Sequence, residues 1–335
     1  MLATARPRVL VWQSRPRVLV WQSRNLKALP FMYTPVTDFL ISGFEPHAEV
    51  VRGAGTRRND SAAFVGNWSR LQSGDIFVWV GLSMSQAPWV ELGQRGVRRV
   101  LYQTEPVHHC AGRRVGRYAV DELWDFSHHN LEACRAAPDA PRTLRYVPPG
   151  AVQPPPRAEP AVAEGSARRL FFFGNPKDGP RRKACYHELH GRLGERLEHT
   201  FSAFDEDRWR ERVLARSGTF VNLHKDCGNV HSPITFRVPK LLNAERLVLS
   251  ERSHPLDEHE YAGILSFYDD MTSLAAAFEK LSAEEGGWES RAREAAARFR
   301  VRFAPQRVFR RAGVLELFNR TGARRRRADG FSAHR

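Results

Sequence analysis

The segment from Thr219 to Glu251 constrains the fold more than any other part of this sequence. Two short apolar runs, at 219–223 and 247–249, each lead into polar residues, and a helix-length piece at 236–244 lies between them. Strand, helix and strand in this order form the unit from which parallel sheets are built. Because ligands of open α/β sheets bind outside the carboxyl ends of the strands, the polar residues after both runs are candidate binding residues.

The same alternation recurs in the first half and predicts an α/β protein with parallel sheets. The chain opens with the nine residues RPRVLVWQS twice in tandem, at 6–14 and 15–23. A first strand needs only one copy, so we place it at 18–21, in the copy that leads directly into the rest of the chain. The other strands predicted in this half are the apolar runs at 76–80, 97–102 and 146–147.

A proline-rich stretch divides the chain, whose 335 residues exceed what one core ordinarily serves. Its prolines, beginning with Pro148 and Pro149, exclude regular secondary structure. After it the alternation restarts, with strands at 170–173 and 199–202 and helices at 180–193 and 207–216. The predicted division is an N-terminal extension at 1–15, a first domain at 16–150, a linker at 151–167, a second domain at 168–318 and a basic disordered tail at 319–335.

The formal charge of +15 raises the question of nucleic-acid binding, since a large positive field attracts polyanions. Only six of the 52 basic residues are lysines, which indicates a base-composition bias acting on exposed positions. The sharpest arginine cluster, at 324–327, lies in the polar tail. No RNA-binding or helix-turn-helix motif is present, so we expect no nucleic-acid partner.

Cellular location is predicted from the cysteines and from the apolar runs. The four cysteines, at 110, 134, 185 and 227, lie far apart without a CxxC pair, which favours free thiols in a reducing compartment. No apolar run has the length of a secretory signal or of a membrane span. The sequence therefore predicts a soluble, cytoplasmic protein.

Four pieces of the second half resemble the donor-binding domain of GT-B glycosyltransferases, especially the group 1-like members. In chain order they are LFFFGNPKDGPRRKACYHEL (170–189), TFVNLHKD (219–226), HSPITFRVPKLLNAERLVLSE (231–251) and ILSFYDDMTSLAAAFEKL (264–281). In the first half, DELWDFSHHNLEAC (121–134) and LRYVPPG (144–150) are similar to the stretch that leads such chains into their linker. The order and spacing of the pieces carry the resemblance.

The resemblance implies two Rossmann-like parallel-sheet domains that face each other across a cleft. It also implies transfer of a sugar from a nucleotide-activated donor, held by the second domain, to an unknown acceptor. Cations and helix N-termini can stabilise a diphosphate leaving group without a metal, so no metal and no cofactor are expected. The candidate donor-binding residues are Asn175, Arg181, Arg182, His224, Lys225, Ser232, Arg237 and Glu251.

Two candidate catalytic residues are carboxylates that follow predicted strands. Glu251 could accept hydrogen bonds from hydroxyls of the ribose or of the donor sugar. Glu105 is the candidate general base that deprotonates the acceptor hydroxyl, with Asp38 and His47 behind it. The donor base, the sugar and the stereochemical outcome stay open.

Two departures from the family pattern keep alternatives open. Pro239 falls where such enzymes run an unbroken helix, so the helix either begins late, with Pro239 in its first turn, or is kinked. The usual EGFG-type loop is replaced by a different sequence at 228–232. The alternatives are a catalytically inactive relative that binds a nucleotide sugar, and a basic RNA-associated protein whose binding would fall steeply with salt.

Metal binding is the weaker interpretation of the acidic and histidine clusters. Asp205-Glu206-Asp207 matches the DxD pattern of metal-dependent glycosyltransferases, but acids directly before a helix cap it and offset its dipole. We interpret this cluster, and Asp269-Asp270, as helix caps. The possible zinc ligands fit no known spacing: His108, His109, Cys110, His128 and His129.

Overall fold

The computed structural model of the protein describes residues 16–23, 29–55, 68–81, 88–104, 119–152, 160–162, 168–201, 205–224, 237–284 and 286–318. Within these ranges the chain forms two parallel sheets. The strands of the first sheet are β1 (Arg17–Ser23), β2 (Glu49–Gly55), β3 (Ile76–Val80), β4 (Arg98–Tyr102), β5 (Glu122–Asp125) and β6 (Thr143–Tyr146). Those of the second sheet are β7 (Leu170–Phe173), β8 (Leu197–Thr200), β9 (Thr219–Asn222), β10 (Leu247–Glu251) and β11 (Ser266–Tyr268).

Helices connect and cover these strands. In chain order they are α1 (Leu29–Phe44), α2 (Trp89–Gln94), α3 (His128–Arg135), α4 (Pro180–Leu193), α5 (Glu206–Trp209), α6 (Arg237–Asn243), α7 (Pro255–Glu260), α8 (Met271–Ala283), α9 (Gly287–Arg302) and α10 (Pro305–Arg311). Phe220 and Val221 of β9 belong to different core clusters. Because successive side chains of a strand point to opposite faces, β9 is covered on both.

Both sheets are doubly wound, and each begins in its interior. The spatial order is β2-β1-β3-β4-β5-β6 in the first sheet and β11-β10-β9-β7-β8 in the second. The strand order therefore reverses between β1 and β3, and again between β7 and β9. Ligands of such sheets bind at these reversals, beyond the carboxyl ends of the strands.

The last helix returns to the first sheet and ties the two halves together. Phe309 of α10 packs against Phe39 and Phe44 of α1, with ring centroids 5.8 and 4.8 Å apart. Gly43 permits this approach, because a Cβ there would lie 2.4 Å from the Phe309 ring. Although α10 falls within the predicted second domain, it packs on the first sheet; the domain division itself stays a prediction.

Most predicted strands and helices are present, and three strands of the structure had not been predicted. Strands β1, β3, β4, β6, β7, β9 and β10 lie at or within a few residues of the predicted runs. Strand β8 starts at Leu197, two residues before the predicted 199–202, and β2, β5 and β11 are additional strands. Within the described residues, helix α6 spans Arg237–Asn243 and contains Pro239. Whether this helix starts late or is kinked stays a prediction, because the residues before Arg237 lie outside the described ranges.

The expectation of free thiols is wrong for Cys134, which is disulfide-bonded. Cys185 is a free thiol. The thiol argument for a reducing compartment therefore does not hold, and a cytoplasmic location stays a prediction. Across the described ranges, no helix combines the length and the apolar character needed to cross a membrane.

Candidate functional site

The candidate site lies at the carboxyl edge of the second sheet, where its strand order reverses. Strand β9 pairs with β7 on one side and with β10 on the other, so their ends lie together. Asn222 ends β9 and donates to the Ser250 hydroxyl of β10 at 3.0 Å. The turn after β7 leads into α4, whose first turn carries Arg181 and Arg182. Long-range pairing thus brings together side chains from three separate segments.

Glu251 lies at the centre of this edge with its carboxylate engaged on both oxygens. Arg181 donates from Nη2 to Oε1 at 2.7 Å and from Nη1 to Oε2 at 3.3 Å. The main-chain amide of His224 donates to Oε2 at 2.6 Å, and the Cys185 thiol lies 3.6 Å from Oε1. Burial disfavours the charged carboxylate, but His224 and Arg181 outweigh it and lower the pKa of Glu251 below its ordinary value. The carboxylate is therefore ionised at neutral pH.

Arg182 is a buried guanidinium that is held by main-chain carbonyls at the end of β9. Its Nε donates to the oxygen of His224 at 3.1 Å, and its Nη2 donates to that of Leu223 at 3.2 Å. Nη1 is 3.4 Å from Asp178, and the guanidinium carbon is 5.7 Å from the centroid of the Phe172 ring. These contacts fix the orientation of Arg182, because a guanidinium is planar and its donors diverge in fixed directions.

Arg237 is the buried cation without a hydrogen-bond partner among the described residues. Its side chain is 8% exposed, and its Nη1 atom is buried with no acceptor in reach. The guanidinium carbon lies 5.0 Å from the centroid of the same Phe172 ring that Arg182 contacts. Burial, and then the neighbouring charge of Arg182, lower the pKa of Arg237 well below its ordinary value. The site therefore presents two neighbouring buried cations, of which one has unfilled donors.

Gly174 gives Arg237 its place beside β7. A Cβ at this position would lie 2.6 Å from the Phe172 ring and 3.1 Å from Nη2 of Arg237. The absence of a side chain therefore leaves room for a guanidinium against the turn that leads into α4.

The first sheet meets this edge through Asp257, six residues after Glu251. Its carboxylate accepts from the Ser127 hydroxyl and from the His128 amide, both at 3.2 Å, just after β5 of the first sheet. Burial raises the pKa of Asp257 to about 7, and it also raises the pKa of the neighbouring Asp125. The segments that follow β5 and β10 therefore contact each other through Asp257.

Five of the predicted donor-binding residues are brought together at this edge: Arg181, Arg182, His224, Arg237 and Glu251. The main chain of His224 joins two of these residues, because its amide donates to Glu251 and its carbonyl oxygen accepts from Arg182. Asn175 lies in the turn after β7, where its side chain accepts from the amide of Lys177 at 3.0 Å. Lys225, Ser232 and Glu105 lie outside the described residues.

The two secondary candidates for the acceptor base lie away from the strand ends. His47 precedes β2, at the amino edge of the first sheet, and its ring contacts Gln306 at 2.9 Å. Asp38 is within α1 and forms a salt bridge with Arg52 of β2. Both side chains are engaged in contacts that join neighbouring elements.

Two of the acidic residues cap helices, as the sequence indicated. Asp205 accepts from the amide of Arg208 at 2.8 Å, and Asp270 accepts from that of Ser273 at 2.6 Å. Over the described part of the chain, no group of three or more histidine, cysteine or carboxylate side chains could hold a metal ion. His108, His109 and Cys110 lie outside that part.

Two residues of the site had not been singled out from the sequence. Phe172 supplies the ring that both buried arginines contact, and Cys185 reaches Glu251. Cys185 follows Arg181 by four residues in α4, so the helical repeat places both on one face. That spacing was the available signal, whereas Phe172 reads only as an apolar strand residue.

Comparison with known proteins establishes the fold. No protein-family profile matches the chain, and no curated sequence matches it. HepE from Anabaena, solved with UDP-glucose, matches with a TM-score of 0.53 at 11% identity, covering 89% of this chain and 98% of its own. AviGT4, a glycosyltransferase involved in avilamycin A biosynthesis, matches with a TM-score of 0.53 at 13% identity, covering 92% and 98%.

A third structure, an alpha-glucosyltransferase in complex with UDP and a mismatched DNA, matches with a TM-score of 0.54 at 12% identity. It covers 85% of this chain and 95% of its own. The chain therefore has the GT-B fold of two facing parallel sheets, as its sequence resemblance implied.

Proposed function

We propose that this protein transfers a sugar from a nucleotide-activated donor to an acceptor, with the donor bound at the carboxyl edge of the second sheet. The observation that carries the proposal is Arg237, a buried guanidinium whose donors have no acceptor in the described part of the chain and which lies beside a second buried arginine. Leaving a charged group buried without a partner costs several kcal/mol. Such an arrangement is retained where a ligand supplies the missing partner, and here the ligand must be an anion.

A diphosphate fits this site by charge and by position. It would lie at the reversal between β7 and β9, near the first turn of α4, where main-chain amides and the helix dipole also favour an anion. Arg237 and Arg182 would neutralise the charge that develops as the bond from the anomeric carbon to the diphosphate oxygen breaks. The engagement of Asp205 in a helix cap supports a mechanism that needs no metal.

Glu251 is proposed to bind hydroxyls of the ribose or of the donor sugar, because its carboxylate is ionised and lies at the same edge. The acceptor is proposed to bind on the first sheet. Its hydroxyl oxygen forms the new bond to the anomeric carbon, and its proton passes to a base, for which Glu105 is our proposal. HepE and the alpha-glucosyltransferase were solved with UDP-glucose and UDP, which makes uridine nucleotides the first to test.

The test is thermal unfolding of the protein with UDP, GDP, ADP and CMP and with their sugar conjugates. A ligand at a hundredfold excess over its Kd stabilises the folded state by about 2.7 kcal/mol, which raises Tm measurably. We expect the nucleotides of one base to raise the Tm of the wild type and of Arg192→Ala, a control at the far end of α4. Arg237→Met should reduce the stabilisation to about a third, and Glu251→Gln should reduce it as well, while both variants remain folded.

A wild type that responds to none of these nucleotides contradicts the proposal. Release of nucleotide from the bound nucleotide sugar, with a panel of hydroxyl acceptors, then separates an active transferase from a protein that only binds. Binding without release in any condition favours the inactive relative.

A further inference from the structure

The Glu251 carboxylate has no vacant position for a ligand. A carboxylate offers about four lone-pair positions. Arg181 takes one on each oxygen, the His224 amide takes a second on Oε2, and the Cys185 thiol takes a second on Oε1. A pair of ribose hydroxyls can therefore bind Glu251 only by displacing groups that already contact it.

The four contacts differ in how easily they can be displaced. The His224 amide belongs to the main chain directly after β9 and cannot move without disturbing the strand. The Cys185 thiol is a weak donor at 3.6 Å and yields one position readily. A diol needs two positions, so the second must come from Arg181.

Of the two side chains in this pair, that of Arg181 is the one that can change its position. Its side chain is 44% exposed, whereas that of Glu251 is 5% exposed, so the arginine can swing into solvent and the carboxylate cannot. It also lies next to Arg182 in the first turn of α4, where a bound diphosphate would compete with Glu251 for its guanidinium. A bidentate arginine pairs with phosphate as well as with carboxylate.

We propose that Arg181 is the specificity-determining residue of the donor site. In the free protein it pairs with the Glu251 carboxylate, and this pair breaks only when Arg181 binds the phosphates of the ligand instead. This inference rests on the proposed function. Recognition of the ribose is thereby coupled to recognition of the diphosphate. A nucleoside must break the Arg181–Glu251 pair without compensation, whereas a nucleoside diphosphate compensates with a new pair to Arg181.

The coupling makes the site discriminate by phosphate number more strongly than phosphate contacts alone would. The experiment measures Kd by calorimetry for uridine, UMP and UDP, or for the corresponding series of the base that binds best. The proteins are the wild type, Arg181→Ala, Arg181→Lys and the control Arg192→Ala, which lies on the same helix and pairs with Glu188.

For Arg181→Ala we expect the nucleoside to bind about tenfold more tightly than to the wild type, because Glu251 is vacated. The diphosphate should bind about tenfold more weakly, because its pair with Arg181 is lost, so the ratio of the two Kd values falls about a hundredfold. Arg181→Lys keeps the charge without the bidentate geometry, so the nucleoside should gain while the diphosphate changes little. Arg192→Ala should behave as the wild type.

Nucleoside binding that is unchanged or weaker in Arg181→Ala, with diphosphate binding still measurable, overturns this inference and leaves the proposed function intact. Equal losses for all three ligands would also overturn it, since they show a general contact and no coupling. A wild type that binds no nucleoside diphosphate overturns the proposed function, and the inference with it.

Discussion

Two buried arginines lie in the connection between β9 and β10, and they differ in one respect. Arg246, directly before β10, is 5% exposed and donates to the main-chain oxygens of Leu214, Ala244 and Pro160. Arg237, at the start of α6, is 8% exposed and has no acceptor among the described residues. The two residues therefore have the same type and similar burial, but within the described part of the chain only Arg246 has acceptors for its donors.

We expect this difference between groups that stabilise the fold and groups that bind a ligand. A buried cation with filled hydrogen bonds holds its segments together, and removing it leaves acceptors unsatisfied. A buried cation with unfilled donors destabilises the free protein and gains a partner only when an anion binds. The same criterion assigns Asp257 and Asp205, whose carboxylates are hydrogen-bonded, to the fold.

The largest expected effect concerns Asp257, where burial outweighs the hydrogen bonds. Its pKa rises from 3.8 to about 7 on folding, so the folded protein binds more protons than the unfolded chain between those values. The free energy of unfolding should therefore fall as the pH rises from about 4 to about 8, by on the order of 4 kcal/mol. Asp257→Asn removes this contribution because an amide does not titrate in this range. The variant should stay folded, since the Asn amide can still accept from the His128 amide and donate to Ser127.

Urea unfolding from pH 4.5 to 8.5 measures this contribution. The variant should gain stability relative to the wild type as the pH rises, whereas Asp139→Asn, at an exposed position, should not. Asp125, Glu260, Tyr146, Tyr261 and His128 also face or influence Asp257, and Asp125 should leave a residual slope of the same sign. A constant difference between variant and wild type across this range would show that Asp257 does not titrate there.

Arg246→Met should be the most destabilising of the arginine substitutions. It removes donors from three main-chain oxygens, two of them in buried hydrogen bonds, at about 1 kcal/mol each, so we expect a loss of about 3 kcal/mol in the free energy of unfolding. The Tm response to nucleotide should persist once the variant is folded at low temperature. An Arg246→Met protein as stable as the wild type would contradict the stabilising role of Arg246.

Arg237→Met should leave the free energy of unfolding unchanged or raise it, because it removes an uncompensated buried charge. Affinity for the nucleoside diphosphate should fall about thirtyfold, equivalent to about 2 kcal/mol. Calorimetry and urea unfolding of the same preparation measure both quantities. If Arg237→Met loses as much stability as Arg246→Met, Arg237 stabilises the fold and the contrast between the two arginines is wrong.

Asp205→Ala should have the smallest effect, a loss of about 1 kcal/mol of stability from the helix cap. Nucleotide binding should be unchanged, and chelation of divalent cations should affect the variant and the wild type alike. If the substitution instead abolishes a manganese-dependent binding of the nucleotide sugar, the acidic cluster is a metal site and the cap is incidental.

The sequence predicted the fold well where strands are uniformly apolar, as in β3 and β7. It failed at β5, whose Glu122 and Asp125 suggest a surface segment. Both carboxylates are buried, because Arg145 and Trp124 engage Glu122 while Ser127 and Asn130 engage Asp125. Of these partners only Arg145 is distant in sequence, whereas Trp124, Ser127 and Asn130 lie within five residues of the carboxylates that they contact. The burial follows from the position of β5 between β4 and β6, which a local pattern does not predict.

By itself, the sequence determined the alternation of strands and helices, the restart after the proline-rich stretch and the residue types at the strand ends. These follow from local periodicity and from the rule that strand ends carry ligands. The tertiary structure decided which arginine is satisfied and which is not. Arg246 donates to Leu214 and Pro160, distant in sequence, and Arg237 has no acceptor within the described ranges. Hydrogen-bond satisfaction depends on which segments the packed sheets bring together, and composition does not encode that.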